Sequence, residues 1–193
     1  MKSKNKKILD IGCGNYKTIG SIGMDKIKLE GVDVVHDITK IPYPFKDSEF
    51  DEIHCYHIIE HIADVIKFME ELYRIIKPEG VLYIRVPHAS CIKSAWTDPT
   101  HIRPFTVRSF YDYFGEKSKF GYYSKTNFQV ITQKMNYCLY DGQRETSIPR
   151  WWQLFWNKIG NFNFNSQNLF ERFLAQYIGG YEELYVELKA IKQ

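Results

Sequence analysis

Apolar residues fall into short β-branched runs early in the chain, one long helical stripe in the middle, and an aromatic belt towards the end. Residues 7–11, with Ile8, Leu9 and Ile11, read as a strand buried on both faces. Residues 21–25, 32–37 and 50–55 read as three further short strands, and Pro42 and Pro44 exclude helix between the last two. Ile58, Ile62, Val65, Ile66, Met69, Leu72, Tyr73 and Ile76 then step by three and four, which predicts one long helix. Glu70 and Arg74 pair at i, i+4 on its outer face, and Lys77-Pro78-Glu79-Gly80 stops it.

Beyond that helix, residues 81–86 predict a fifth strand, 88–106 a polar loop, 107–114 a short helix ended by Gly115, and 128–139 a strand. Residues 149–178 predict an aromatic helical segment in two pieces, and 183–191 a last strand. The order predicts an α/β fold: an open, mostly parallel, doubly wound sheet with a C-terminal antiparallel strand. Its first half has unusually thin helices. The expected organisation is one domain over 1–193: a cofactor-binding half at 7–87, a substrate loop and later strand at 88–148, an aromatic helical cap at 149–180, and the last strand at 183–191.

Composition narrows the class. The chain has 193 residues, 44% hydrophobic and 25% charged, as a globular protein has, and its net charge of +3 is too mild to argue for nucleic acid alone. The four cysteines, Cys13, Cys55, Cys91 and Cys138, form no C-x-x-C pair and read as free thiols. No apolar run reaches a membrane span, and the run after the basic start is too short for a signal peptide, so a cytoplasmic location is expected.

The chemistry starts at Ile8-Leu9-Asp10-Ile11-Gly12-Cys13-Gly14, an apolar run that ends in an acid and two glycines. Glycines there turn the backbone sharply and admit a ligand to the bare main chain. Asp10, Asp25 and Asp37 end three successive predicted strands. A carboxylate at the second tip is placed to accept both ribose hydroxyls, and a polar group at the third can reach an adenine edge. Asp33 is the fallback for the ribose. A nicotinamide dinucleotide site fits poorly, because position 17 is Lys where a third glycine should open a helix.

These residues resemble the seven-stranded S-adenosylmethionine-dependent methyltransferases. The resemblance continues through His36-Asp37, Ile41-Pro42-Tyr43-Pro44-Phe45, Asp47-Ser48-Glu49-Phe50-Asp51-Glu52-Ile53, Ile59-Glu60-His61 and Ile75-Ile76-Lys77-Pro78-Glu79-Gly80-Val81-Leu82. It is closer to a compact subgroup with Asp98-Pro99-Thr100-His101 and Arg103-Pro104-Phe105-Thr106 after strand five. The resemblance implies S-adenosyl-L-methionine as cofactor and S-adenosyl-L-homocysteine as product. It implies that Asp10, Gly12, Cys13 and Gly14 border the methionine part, that Asp25 takes the ribose, and that Asp37 with Ile38 frames the adenine. Tyr56 and His57 would face the sulfonium. Tyr16 stands where the family usually has a third glycine.

Acceptor chemistry is expected after strand five. Asp98 and His101, at i and i+3, can pair as a carboxylate and the imidazole it orients, making His101 a candidate general base; the alternative is that both hold the loop. His88, Arg103 and Trp152 are candidate substrate contacts, and no metal site is assigned, since the ligand set is incomplete in sequence. Trp152, Phe155, Trp156 and Ile159 share a helical face that suits a cap, a homodimer contact or a substrate wall. The expected activity is methyl transfer to a hydroxyl, amine or carboxylate of a small molecule or sugar. RNA, suggested by a pI of about 8.5, is an alternative acceptor, and a non-catalytic methyltransferase-like binding module is the rival class.

Overall fold

A computed structural model describes residues 6–115, 118–137 and 148–192. Seven strands form one sheet: β1 (Ile8–Ile11), β2 (Ile22–Asp25), β3 (Val34–Val35), β4 (Phe50–Tyr56), β5 (Ile76–Pro87), β6 (Phe128–Asn136) and β7 (Glu183–Ala190). Their order across the sheet is β3-β2-β1-β4-β5-β7-β6. β1 to β5 run parallel, and β7 is antiparallel to both neighbours. This is the expected open sheet with its C-terminal antiparallel strand.

Register explains the sequence pattern. Leu9, Ile53, Leu82 and Leu188 lie side by side, as do Ile11, Cys55, Ile84 and Val186, and all are fully buried. Helices α1 (Val65–Ile75) and α3 (Val107–Phe114) contribute Phe68, Met69, Leu72, Val107 and Phe110 to the same core. The alternate positions carry Asp10, His54, Tyr83 and Glu187, so the other face is polar and aromatic. The links from β1 to β4 contain no helix among the described residues, in line with the thin first half.

Four expectations change. The long helix over 58–76 is two pieces: a 3₁₀ turn at Ile59–His61 and α1, which starts where the Asp64 side chain accepts the Lys67 amide at 3.1 Å. That side-chain cap fixes a new start and breaks the stripe. Arg74 pairs with Glu71 and Asp47 at 2.6 Å each rather than with Glu70, whose carboxylate accepts the Lys125 amide. β5 begins at Ile76, five residues earlier than expected, with a register shift where Pro78 and Glu79 (φ 63°) interrupt pairing to β4. The polar loop 88–106 holds the short helix α2 (Ile92–Trp96). β3 is brief, although Asp33 and His36 still donate their amides to Gly23 and Asp25 carbonyls. For the sixth strand, positions 138 and 139 lie outside the described residues.

The aromatic segment is α4 (Arg150–Gly160), α5 (Phe164–Leu169), a π-helical turn (Phe170–Leu174) and a 3₁₀ turn (Ala175–Ile178). It finishes the edge of the sheet. Asn161 accepts the Met135 amide and donates to the Met135 carbonyl, both at 2.7 Å, while Gln167 donates to the Gln133 carbonyl at 2.8 Å. Side-chain amides thus occupy backbone groups of edge strand β6 that would otherwise invite another strand.

Candidate functional site

The strand tips converge as the glycine pattern requires. Gly12 has φ +66°, a strained value for any side chain, and a Cβ there would sit 2.0 Å from Ile58 Cδ1, so a substitution needs Ile58 to move as well. Its amide donates to the Met24 carbonyl at 2.7 Å. Gly14, at φ +49°, donates its amide to Asp25 Oδ2 at 3.0 Å, and Ile27 donates to Oδ1. Asp10 is buried and accepts the Thr18 amide at 2.7 Å, which ties the glycine loop back to β1.

Gly12, Asp25, Asp37 and Ile38 line one cavity of about 440 Å³, together with Lys26, Thr39, Ile58, His61, Ile62 and Thr100. Asp37 accepts the Thr39 amide and hydroxyl, and these bonds hold its carboxyl below the usual range. Asp33 is absent from that lining: its Oδ2 accepts from Lys17 at 2.8 Å and from the Gly23 amide at 2.7 Å. Tyr16 stands in solvent, 95% exposed, and does not fill the cavity.

Several expected residues lie elsewhere. Tyr56 points to the polar face, where Arg85 stacks on its ring at 4.8 Å; β4 alternation puts it opposite the core positions. Cys13 packs beside Gly23, and burial pushes its thiol up, as burial does for Cys55, so neither is a ready nucleophile. His88 is fully buried between Ser90 (2.8 Å) and Glu171 (3.1 Å), which makes it a structural tie rather than a mouth residue. Arg103 donates to the Ala63 carbonyl and lines a second cavity of about 590 Å³ with Asp64, Ser109 and Tyr113. Trp152 is half-buried, its indole N–H on Tyr137 Oη at 3.3 Å.

The expected Asp98–His101 pair is not a hydrogen bond. Asp98 Oδ2 lies 4.0 Å from His101 Nε2. Its other oxygen accepts the Thr100 amide and hydroxyl at 2.8 and 2.6 Å, because Asp98-Pro99-Thr100 forms its own turn. His101 Nδ1 donates instead to the Ala95 carbonyl at 2.8 Å. A carbonyl can only accept, so His101 keeps its lone pair on Nε2.

That nitrogen looks onto Glu60, at 3.9 Å. Glu60 is fully buried, and neither of its oxygens has a hydrogen-bond partner. His57, in the left-handed region at φ 56°, holds Nδ1 at 3.5 Å from Glu60 and Nε2 at 3.2 Å from Glu183. Burial opposes its charge, but the hydrogen bond to Glu183 and the nearby Glu60 carboxylate outweigh that and carry the imidazole up to about 9. His57 is thus a cation between two acids, and the cavity lining does not include it. Ile58, Glu60, His61 and Thr100 carry no expected site role from their positions in the sequence; the adjacent Glu60-His61 pair is the signal, and continuous helical spacing hides it.

Residues 2–139 match the family described as "Methyltransferase domain", and the chain belongs to that family. Among the relatives, an uncharacterized protein of Methanocaldococcus jannaschii is 30% identical over 128 residues, 56% of each chain. A ubiquinone biosynthesis O-methyltransferase of Rickettsia bellii is 26% identical over 97 residues, 40% of each chain. The chain therefore spans about half the length, or less, of these curated relatives. The solved structure of a SAM-dependent methyltransferase from Archaeoglobus fulgidus superposes with a TM-score of 0.60 at 19% identity, covering 95% of this chain and 86% of that one. Its likeness is one of fold. The expectation of a methyltransferase with S-adenosylmethionine as cofactor agrees with this family and with these names. No described helix is long and apolar enough to cross a membrane.

Proposed function

We propose that the chain transfers the methyl group of S-adenosylmethionine to an oxygen of a small-molecule or sugar acceptor. The observation that carries this reading is the shared cavity of Gly12, Asp25, Asp37 and Ile38, which joins the tips of β1, β2 and β3. Asp25 receives the ribose hydroxyls, since its carboxylate keeps lone pairs beyond the Gly14 and Ile27 amides. Asp37 and Ile38 frame the adenine, and the bare backbone of Gly12 and Gly14 borders the methionine part. Asp33 is a brace for Lys17 and β2.

The sulfonium methyl is already electrophilic, so the main task is to hold the acceptor in line. Such positioning supplies roughly 7–11 kcal/mol of a barrier. The acceptor enters on the side of His61 and Thr100, which line the same cavity as Gly12, Asp25 and Asp37. His101, outside the cavity lining but with its ring 4.8 Å from that of the lining residue His61, is the candidate to take the acceptor's proton when its Nε2 lone pair is not otherwise used, help worth typically about 10²–10⁴-fold. The name of the Rickettsia relative supports oxygen as the receiving atom. Tyr16 in the cavity would have favoured a non-catalytic binding module; standing in solvent, it leaves the cavity open to a cofactor. Titration of the protein with S-adenosylmethionine, beside an Asp25→Ala variant, tests the reading.

A further inference from the structure

We propose that Glu60, His61 and His101 form a site for a divalent transition-metal cation of the zinc class, joined to the cavity through its lining residue His61. Each residue brings a ligand atom within 4.8 Å of the other two. Two imidazoles and one carboxylate leave open positions for a substrate oxygen, a set that suits zinc and its neighbours over magnesium or calcium.

Two independent features point to a ligand. The first is Glu60. It is fully buried, with both oxygens unpartnered by any hydrogen-bond donor, on the edge of a polar cluster. The His57 cation, 3.5 Å away, is shared with Glu183 and makes no hydrogen bond to Glu60, so a second positive group facing this carboxylate would offset its cost of burial. His57 lies to one side of it at 3.5 Å, and His101 Nε2 to another at 3.9 Å.

The second is how the imidazoles are held. His101 Nδ1 donates to the Ala95 carbonyl. His61 Nδ1 lies 3.0 Å from Thr100 Oγ1, whose own proton is committed to Asp98 at 2.6 Å, so the imidazole is the donor. Both rings are therefore fixed as the tautomer with a lone pair on Nε2. Metal-binding histidines are oriented in this way, by an outer carbonyl or carboxylate on the other nitrogen. Asp98 thus acts through Thr100 on His61, as a positioning residue.

The role of the cation rests on the methyl-transfer reading, whereas its binding does not. Coordinated to the cation, an acceptor hydroxyl loses its proton to solvent near neutral pH. The resulting oxygen attacks the methyl carbon; the new C–O bond forms as the C–S bond breaks, and the sulfonium leaves as a neutral thioether. His101 is then a ligand in place of a base.

The test is titration of the purified full chain with Co²⁺, followed by visible absorption, with Zn²⁺ as competitor. S-adenosylmethionine binding is measured separately on the same samples, and far-UV circular dichroism reports folding. One equivalent of Co²⁺, displaced by Zn²⁺, is expected for the wild type. His61→Ala and His101→Ala should each weaken it by more than about 100-fold, and Thr100→Val by roughly 10-fold, the scale of a lost outer partner. His36→Ala, away from the cluster, should change nothing. Folded wild type that takes up no stoichiometric Co²⁺ overturns the site, as does binding that survives His61→Ala intact. Loss of cofactor binding with the metal retained would instead count against the methyl-transfer reading alone.

Discussion

His61 and Asp98 are joined through one hydroxyl: Thr100 Oγ1 accepts from His61 Nδ1 at 3.0 Å and donates to Asp98 Oδ1 at 2.6 Å. The acid expected to orient His101 therefore orients a different histidine. Thr100→Val and Asp98→Ala should each loosen the hold on the His61 ring, whose Nδ1 keeps only the Thr100 carbonyl at 3.3 Å, seen as a shift in the ¹⁵N NMR of the imidazole. Because both act through one chain of bonds, the double variant should show no further change. Additive effects would mean that Asp98 reaches the cluster by another route.

Gly12 and Gly14 both lie at positive φ, but they should respond differently to alanine. Gly14 has open space around its missing Cβ, so Gly14→Ala should cost only the backbone penalty, about 1–2 kcal/mol. Gly12→Ala adds a clash with Ile58 and should lose cofactor affinity as well as stability. Urea unfolding with cofactor titration on both variants checks this. Equal behaviour would show that Ile58 yields easily.

Glu171 ties the π-helical turn to two elements, accepting the Val107 amide at 2.7 Å and meeting buried His88 at 3.1 Å. Glu171→Ala strands both groups and should lower stability by about 1–3 kcal/mol. Denaturant midpoints would show it, and an unchanged midpoint would contradict the assignment of His88 as structural.

Asn161 closes the outer edge of β6. Asn161→Ala leaves the Met135 amide and carbonyl open and should cost about 1–3 kcal/mol, with a rise in self-association as the edge is freed. Thermal melts and light scattering report the two effects, and a monodisperse variant of unchanged melting temperature would count against edge protection.

Much of the sheet was legible because each strand is a short apolar run with its own punctuation. The acids at Asp10, Asp25 and Asp37 were legible for the same reason: each ends a run. The acceptor side was not. Ile58 and Ile62 continue the stripe of α1 at helical spacing, so periodicity alone could not show that Asp64 restarts the helix and turns Glu60 inward. The Asp98–His101 spacing suited a pair equally well, yet Thr100, between them, competes for the same carboxylate at shorter range. Tyr56 and Trp152 were placed by type and position, and strand alternation and cap packing took them elsewhere.

On the proposed function Asp25, and not Asp33, holds the cofactor's ribose in the cavity behind Gly12. Calorimetric titration of the wild type, Asp25→Ala and Asp33→Ala with S-adenosylmethionine and S-adenosylhomocysteine tests it most directly. Binding by the wild type, loss in Asp25→Ala, and binding kept by folded Asp33→Ala are expected. Loss confined to Asp33→Ala, or no binding by the wild type, would contradict it.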